Sequence, residues 1–339
     1  MDLLKLQSKL TPDILEIMQK RFKILHYISL MQPIGRRSLS QALGWTERVL
    51  RAEAEFLKQQ GLIDIETIGM KLTDEGYQVL EELSPYIKKI FGLNELEQKL
   101  QAKLHISRVI VVAGDVDKDE FVKKEMGRAA AQLLRQYVKE NDIVTLTGGS
   151  TLFEVANMMP ENPQLQSVLF VPARGGIGEN HEFLANTLVS VMAKKTGGKY
   201  RLLHVPDQLS EESYNSLMNE DNIKEVLKVI RSAGIVIHGI GDAKTMALRR
   251  NTSKEILALL EEKKAIGEAF GYYFSQDGEI VYKIKTIGLI LEDLEKIPHI
   301  IAVAGGKSKA DAILAVLKQN YKQILVTDEG AAREILSKI

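Results

Sequence analysis

The residues with the clearest chemical potential in this sequence are Thr147-Gly148-Gly149-Ser150-Thr151. They follow an apolar, β-branched run that begins at Ile143, and they lead into the amphipathic pattern LFEVANMM. A buried strand, a tight turn and a helix start are therefore expected. At such a joint the backbone N–H groups and the hydroxyls of Ser150 and Thr151 can donate to an anion. Glycine has no Cβ, so a phosphate can approach the backbone of Gly148 and Gly149 closely. The plainer alternative is an ordinary joint with Ser150 or Thr151 as the helix cap. The turn matches neither GxxxxGK[ST] nor GxGxxG.

Other chemically useful residues fall at similar joints. Ala304-Gly305-Gly306-Lys307-Ser308-Lys309 is a second glycine-rich turn before a helical pattern, and it adds ammonium groups. Val171-Pro172-Ala173-Arg174-Gly175-Gly176 supplies a guanidinium that can grip phosphate through two N–H groups. His238-Gly239-Ile240-Gly241 precedes KTMALRR, whose helical spacing turns Arg249 or Arg250 back over the site. Thr327-Asp328-Glu329-Gly330 closes a fifth run. Two nests with separate cations suit a ligand with phosphate at one or both ends. In GEAFGYYF, Glu268 lies among aromatic residues, either as an acceptor for sugar hydroxyls or within a packed β-turn.

An enzyme acting on such a ligand needs an acid–base pair. Glu268, Asp242 and His238 are the candidates, and none pairs recognisably with another in sequence. There are six histidines; His204 and His238 stand at strand ends, where a lone histidine is structural. No catalytic residue, metal site or cofactor is expected.

These joints need a scaffold that gathers them. Apolar runs at 109–113, 143–147, 168–171, 202–205, 235–238, 300–304 and 324–326 alternate with helical patterns at 120–139, 152–159, 182–194 and 310–318. That alternation predicts an α/β fold with a doubly wound, mostly parallel sheet, whose ligands bind beyond the carboxyl ends of the strands.

The first hundred residues read differently. Helical patterns at 12–31 and 47–60 flank a short helical segment at 36–43, with Gly44-Trp45 as a turn and Thr46 as a cap. Residues 62–65 and 70–72 form a hairpin, and together these elements make a winged helix-turn-helix. Residues 20–58 hold eight basic groups (Lys20, Arg21, Lys23, Arg36, Arg37, Arg48, Arg51, Lys58) against three acids, Glu47, Glu53 and Glu55. Arg48 and Arg51 share a helix face at the end that meets base edges in this motif. Arg36 and Arg37 suit phosphate contacts. The expected DNA-contacting set is Arg36, Arg37, Thr46, Arg48 and Arg51. A protein-binding module with a solvated basic face is the alternative. A helix at 73–91 follows, then the spacing Leu93, Leu96, Leu100, Leu104, which suits pairing with a partner chain or packing on its own domain. The expected domains are 1–91, a winged helix; 92–106, a helical connector; and 107–339, an effector-binding domain.

Composition sets outer limits. The chain has 339 residues with 45 basic and 45 acidic side chains, so any nucleic-acid contact rests on a local patch. Hydrophobic residues make up 45%, ample for a packed core, and there is no cysteine. Disulfides and thiolate sites are thereby excluded, and a reducing cytoplasm is the expected location. Asp2, Lys5 and Lys9 interrupt the N-terminal apolar positions, so no signal peptide is read, and no apolar run is long enough to span a membrane.

Several long strings carry a family resemblance: IGRRSLSQALGWTERVLRAEAEFLKQQGLIDI, KKEMGRAA, TLTGGST, VPARGG, HGIGDAKTMALRRNT, EAFGYYF, VAGGKSKADAI and VTDEGAA. Together they resemble the SorC/DeoR-like family of bacterial transcriptional regulators across nearly the whole chain. The resemblance implies a winged-helix DNA-binding domain joined to an effector domain similar to phosphosugar isomerases and deaminases. It implies operator DNA and a phosphosugar as partners, and a homodimer that pairs into a tetramer on DNA. The subgroup it suggests represses the glycolytic operon of glyceraldehyde-phosphate dehydrogenase, with fructose-1,6-bisphosphate as the inducer that weakens cooperative operator binding. By the same resemblance Gly148, Gly149, Ser150 and Thr151 hold one phosphate with Lys309 beside it. Arg174 and Arg249 meet the other, and Glu268 meets the sugar hydroxyls. Leu184 departs from the family pattern, which has a polar residue able to reach the ligand. The departure implies weaker binding and leaves the preferred sugar phosphate open.

Overall fold

A computed structural model describes residues 10–162, 165–176, 180–319 and 322–339. The chain forms two compact units, Met1–Glu95 and Leu96–Ile339.

In the first unit, helices α1 (Pro12–Met31), α2 (Arg36–Leu43) and α3 (Glu47–Gln59) precede a hairpin of β1 (Ile63–Glu66) and β2 (Gly69–Leu72), and then α4 (Asp74–Ile90). The local signals act as expected. Gly44 ends α2 in a left-handed conformation, and the Thr46 hydroxyl caps α3 by accepting from Val49 N. Ile34 adds a short third strand by exchanging two backbone hydrogen bonds with Met70. A Cβ at Gly69 would lie 2.8 Å from the Ile34 backbone, so only glycine permits that contact. Ile24, Ile28, Leu39, Leu50, Leu57, Ile63 and Met70 fill the core. Truncating one of these leucines to alanine costs about 2–5 kcal/mol. Ile14, in the first turn of α1, is exposed.

The second unit begins within α5 (Leu93–Leu104). After it come β3 (Arg108–Val112), α6 (Phe121–Tyr137), β4 (Ile143–Leu146), α7 (Ser150–Asn157), β5 (Leu169–Pro172), α8 (Ala185–Thr196) and β6 (Lys199–Tyr200). Next are α9 (Glu211–Asn219), α10 (Asp221–Arg231), β7 (Ile235–Gly239), β8 (Gly241–Asp242), α11 (Ala243–Arg249) and α12 (Lys254–Glu262). The chain closes with β9 (Ala265–Ala269), β10 (Tyr272–Ser275), β11 (Ile280–Lys283), α13 (Leu291–Leu294), β12 (His299–Val303), α14 (Ala310–Leu317), β13 (Gln323–Asp328) and α15 (Glu329–Lys338).

Among the described residues seven strands make one parallel sheet in the order β3-β13-β12-β7-β4-β5-β6. Its central strands are Val- and Ile-rich and buried on both faces, as parallel strands under helices must be. From β4 the chain winds toward β5, whereas from β7 it winds toward β12. The winding therefore reverses between β4 and β7, and a crevice opens beyond their carboxyl ends. On one face α6 packs against α7 so tightly that a Cβ at Gly127 would lie 2.6 Å from the Glu154 carbonyl carbon.

One expectation changes, and two readings the sequence left open gain a structure. Residues 202–205 form no strand, because the Asn186 side chain takes the backbone pairing of Leu203, accepting from its N–H at 3.1 Å and donating to its carbonyl at 2.9 Å. The GEAFGYYF stretch is a hairpin, β9 to β10, in a second, antiparallel sheet ordered β11-β10-β9-β8 that the alternation of runs did not reveal. Its turn residues Phe270 and Gly271 both have positive φ (53° and 83°), the geometry that matches strand twist in a two-residue hairpin. The leucine face of α5 is used within the protomer: Leu93, Leu96 and Leu100 are buried, and Glu97 accepts the N–H of Val111 on edge strand β3 at 2.8 Å.

Candidate functional site

The α7 N-terminus stands at the winding reversal. Gly149 is its N-cap (φ 132°), and no side chain caps the helix. Ser150 and Thr151 occupy its first two positions, so neither is a cap, and the N–H groups of this first turn have no partner within the helix. The Gly149 N–H is already committed, donating to the Phe183 carbonyl at 2.8 Å. A Cβ at Gly148 would lie 2.5 Å from the same oxygen, which explains that glycine by packing. Leu184 follows Phe183 directly and sits against Gly176.

The second glycine-rich turn is an anion nest whose anions are the protein's own carboxylates. Asp328 Oδ2 accepts from Gly306 N at 2.8 Å, Asp115 Oδ1 from Lys307 N at 3.3 Å, and Asp117 Oδ2 from Ser308 N at 2.7 Å. These amides are therefore not offered to a ligand. The turn's remaining contribution to an anion is Lys309. Its side chain is half-buried, and burial first, then the positive charges of Lys123 and Arg249, hold its ammonium below the usual lysine range. Asp117 and Asp242 oppose that shift without cancelling it. Three like charges drawn together are stable when an anion joins them. Lys123, on α6, was not singled out from the sequence. It also acts electrostatically on Glu154 of α7. Its position shows only when α6 is packed on α7.

Arg174, Asp207, Arg250 and Glu268 form a second, neutral cluster. Arg250 Nε donates to Asp207 Oδ2 at 2.9 Å, Nη2 to Glu268 Oε1 at 2.9 Å and Nη1 to the Tyr273 hydroxyl at 3.1 Å. Arg174 pairs with Asp207 and lies 3.6 Å from Glu268. Arg174 Nε, fully buried, has no acceptor among the described residues. The adjacent Arg249 is exposed. The structure thus brings Arg249 toward Lys309 and sets Arg174 beside Glu268. Asp207 and Arg250 complete the second cluster; Asp207 carried no local signal, lying in an irregular segment.

The catalytic alternatives have other uses. His238 is fully buried between Gly239 O and Gln323 Oε1, and burial lowers its pKa to about 4. Asp242 caps α11 by accepting from Thr245 N at 2.8 Å. Among the described residues no group of His, Cys, Asp or Glu could hold a metal.

In the first unit Arg36, Arg37, Thr46, Arg48 and Arg51 are all exposed on α2 and the start of α3. Arg37 lies 3.3 Å from Glu47. Two of the basic residues counted in the sequence are half-buried and already paired: Lys20 and Arg21 both pair with Glu53 at 2.9 Å and lie over Trp45 and Phe56 respectively.

Comparison with known proteins places these features. Residues 17–87 match the CggR N-terminal DNA binding domain family, and residues 88–337 match the Sugar-bind family of sugar-binding domains. The chain is 52% identical to the central glycolytic genes regulator of Bacillus subtilis, covering 98% of both chains. It belongs to the central glycolytic genes regulators. The same regulator from Priestia megaterium is also 52% identical over 98% of both chains. The crystal structure of a SorC family transcriptional regulator from Enterococcus faecalis is 44% identical, with a TM-score of 0.66, covering 71% of this chain and 99% of that one. The full-length sorbitol operon regulator SorC of Klebsiella pneumoniae shares the fold, with a TM-score of 0.64 at 19% identity over 95% of this chain and 99% of that one.

A central glycolytic genes regulator is a DNA-binding transcriptional regulator with a sugar-binding domain, and not an enzyme. That accounts for a sheet edge that gathers cations and carboxylates without pairing an acid with a base. No helix among the described residues is long and apolar enough to cross a membrane.

Proposed function

We propose that the protein is a repressor of a glycolytic operon, acting in the cytoplasm, and that fructose-1,6-bisphosphate is its inducer. The observation that carries this reading is that the Lys309 turn and the uncapped N-terminus of α7 follow β12 and β4, the two neighbours of β7, at the same carboxyl edge of the parallel sheet, with the charges of Lys123 and Arg249 acting on Lys309. A phosphate there neutralises the cluster and accepts from the first-turn amides and the hydroxyls of Ser150 and Thr151. The sugar extends toward Glu268, and Arg174, with its unpartnered Nε, serves the second phosphate. Operator contact falls to Arg36, Arg37, Arg48 and Arg51, with Thr46 setting the start of α3. The protein binds as a dimer that pairs on DNA, and the inducer weakens that pairing by favouring one arrangement over the other.

One observation favours a second ligand mode. Arg174 is engaged by Asp207 and Glu268, so a sugar monophosphate could use the Lys309 cluster without disturbing the quartet. Thermal unfolding of the full chain against fructose-1,6-bisphosphate and hexose monophosphates separates the two. A ligand at about 100 times its Kd adds roughly 2.7 kcal/mol of stability. A larger rise with the bisphosphate, together with weakened operator binding in its presence, is the expected result. Operator binding insensitive to millimolar bisphosphate would overturn the inducer assignment.

A further inference from the structure

Asp117 is a carboxylate placed at the edge of a site that must attract an anion. It follows β3 and reaches across to the turn before α14. Its Oδ2 accepts from Ser308 N at 2.7 Å and its Oδ1 accepts from Ser308 Oγ at 3.0 Å. The neighbouring carboxylates brace it. Asp115 Oδ1 accepts from both Asp117 N and Lys307 N, and Asp328 Oδ2 accepts from both Val116 N and Gly306 N. The bracket leaves no room for a side chain at residue 306, where a Cβ would lie 2.6 Å from Asp117 Oδ1 and where φ is 98°. Lys309 directly follows Ser308, and its N–H donates to the Gly306 carbonyl at 3.0 Å.

By charge alone Asp117 opposes phosphate binding, since an anion near the site repels another. Its double hold on Ser308 gives it a different use. We propose that Asp117 is a positioning residue for the effector site, fixing the backbone at Ser308 so that the Lys309 ammonium is presented to the ligand's phosphate. The inference rests on the reading of Lys309 as a phosphate ligand. It makes the hydrogen bonds of Asp117, and not its charge, the property that ligand binding requires.

Calorimetric titration of the full-length protein with fructose-1,6-bisphosphate tests this, because charge and positioning predict opposite signs. Asp117→Ala removes both charge and clasp, and is expected to bind about tenfold more weakly. Asp117→Asn keeps an acceptor for Ser308 without the charge, and is expected to bind at least as tightly as the wild type. Ser308→Ala leaves the charge and removes one of the two bonds, with an expected loss of about threefold; it also serves if Asp117→Ala does not fold. In a Lys309→Met background, Asp117→Ala is expected to change affinity less than twofold, since coupled residues are not additive. Asp117→Ala binding as tightly as wild type, or the same tenfold loss persisting without Lys309, overturns the positioning role. If Lys309→Met by itself leaves affinity unchanged, the phosphate role of Lys309 fails first, and the positioning role falls with it.

Discussion

Arg250 Nη2 donates to Glu268 Oε1 at 2.9 Å, and both side chains are almost wholly buried. Arg249, one residue earlier, is exposed and acts on Lys309. The two arginines end the same short helix and carry opposite duties. Buried charges are tolerated when fully paired, and removing one partner leaves the others without compensation. Arg250→Met is therefore expected to destabilise the protein by about 3–5 kcal/mol in urea unfolding. Arg249→Met should stay within about 0.5 kcal/mol of the wild type while weakening sugar-phosphate binding. Equal stability losses for the two variants would contradict this division.

Lys309 links ligand binding to pH. Burial, Lys123 and Arg249 lower its folded-state pKa below the ordinary 10.5. Between the lowered value and the ordinary one the unfolded chain binds more protons, so the ligand-free protein gains stability as pH rises through that window. A bound phosphate favours the charged ammonium, so binding takes up a proton there and affinity falls with rising pH. Titrations in buffers of different ionisation enthalpy should show that uptake in the wild type and lose it in Lys309→Met. A pH-independent affinity across the alkaline range would remove Lys309 from the phosphate site.

His238 sets part of the acid limit. Its folded pKa, about 4 because of burial, lies below the ordinary 6.5. The unfolded chain gains the proton first, so stability is lost as pH falls from 6.5 toward 4, by about 3 kcal/mol if the whole shift is expressed. Melting temperatures of His238→Asn should decline less steeply over that interval than those of the wild type, even if the variant starts lower. Parallel slopes would mean that other groups set the acid limit.

The basic residues of the first unit divide in the same way. Arg48→Ala and Arg51→Ala are each expected to weaken operator binding by about 1–3 kcal/mol with little change in folding. Lys20→Ala and Arg21→Ala leave Glu53 short of a partner. Burial disfavours the Glu53 carboxylate, but hydrogen bonds from Arg21 and Lys20 outweigh it and hold its pKa below the usual range. These two variants should therefore lose stability above the ordinary glutamate pKa while retaining their operator affinity. Gel shifts alongside urea unfolding would separate the sets, and operator affinity lost with Lys20 would redraw the DNA face.

The docked face of α5 offers another check. Glu97 accepts the N–H of Val111 on the sheet's edge strand, and Leu96 and Leu100 are buried beside it. Glu97→Ala is expected to cost about 1–3 kcal/mol, because the buried donor is left without its acceptor. Faster amide exchange at Val111 in that variant is the direct readout, and unchanged exchange would count against the contact.

Much of this was legible from local order. Alternating apolar runs and helical patterns specified the parallel sheet, since a strand buried on both faces must be apolar along its length. Gly44 and Thr46 marked the joint between α2 and α3, because left-handed turns and caps depend on single residues. The glycine-rich turns were visible as close-approach points, Arg174 and Lys309 stood out as charges at those turns, Arg249 as a charge on a short helical pattern, and Glu268 as a carboxylate among aromatic residues.

What those charges face was decided by tertiary structure alone. The turn around Gly306 looks like an open anion nest in sequence, yet Asp115, Asp117 and Asp328, more than twenty or nearly two hundred residues away, fill it. Lys20 and Arg21 count as surface charge until Glu53 is folded against them. Lys123 opens the string KKEMGRAA, but nothing in that string gives it a site role; its charge acts on Lys309 only in the folded chain. Local sequence determines which groups a turn or helix can present; hydrogen bonds and ion pairs act over a few ångströms, so which groups remain for a ligand is settled only when distant segments meet.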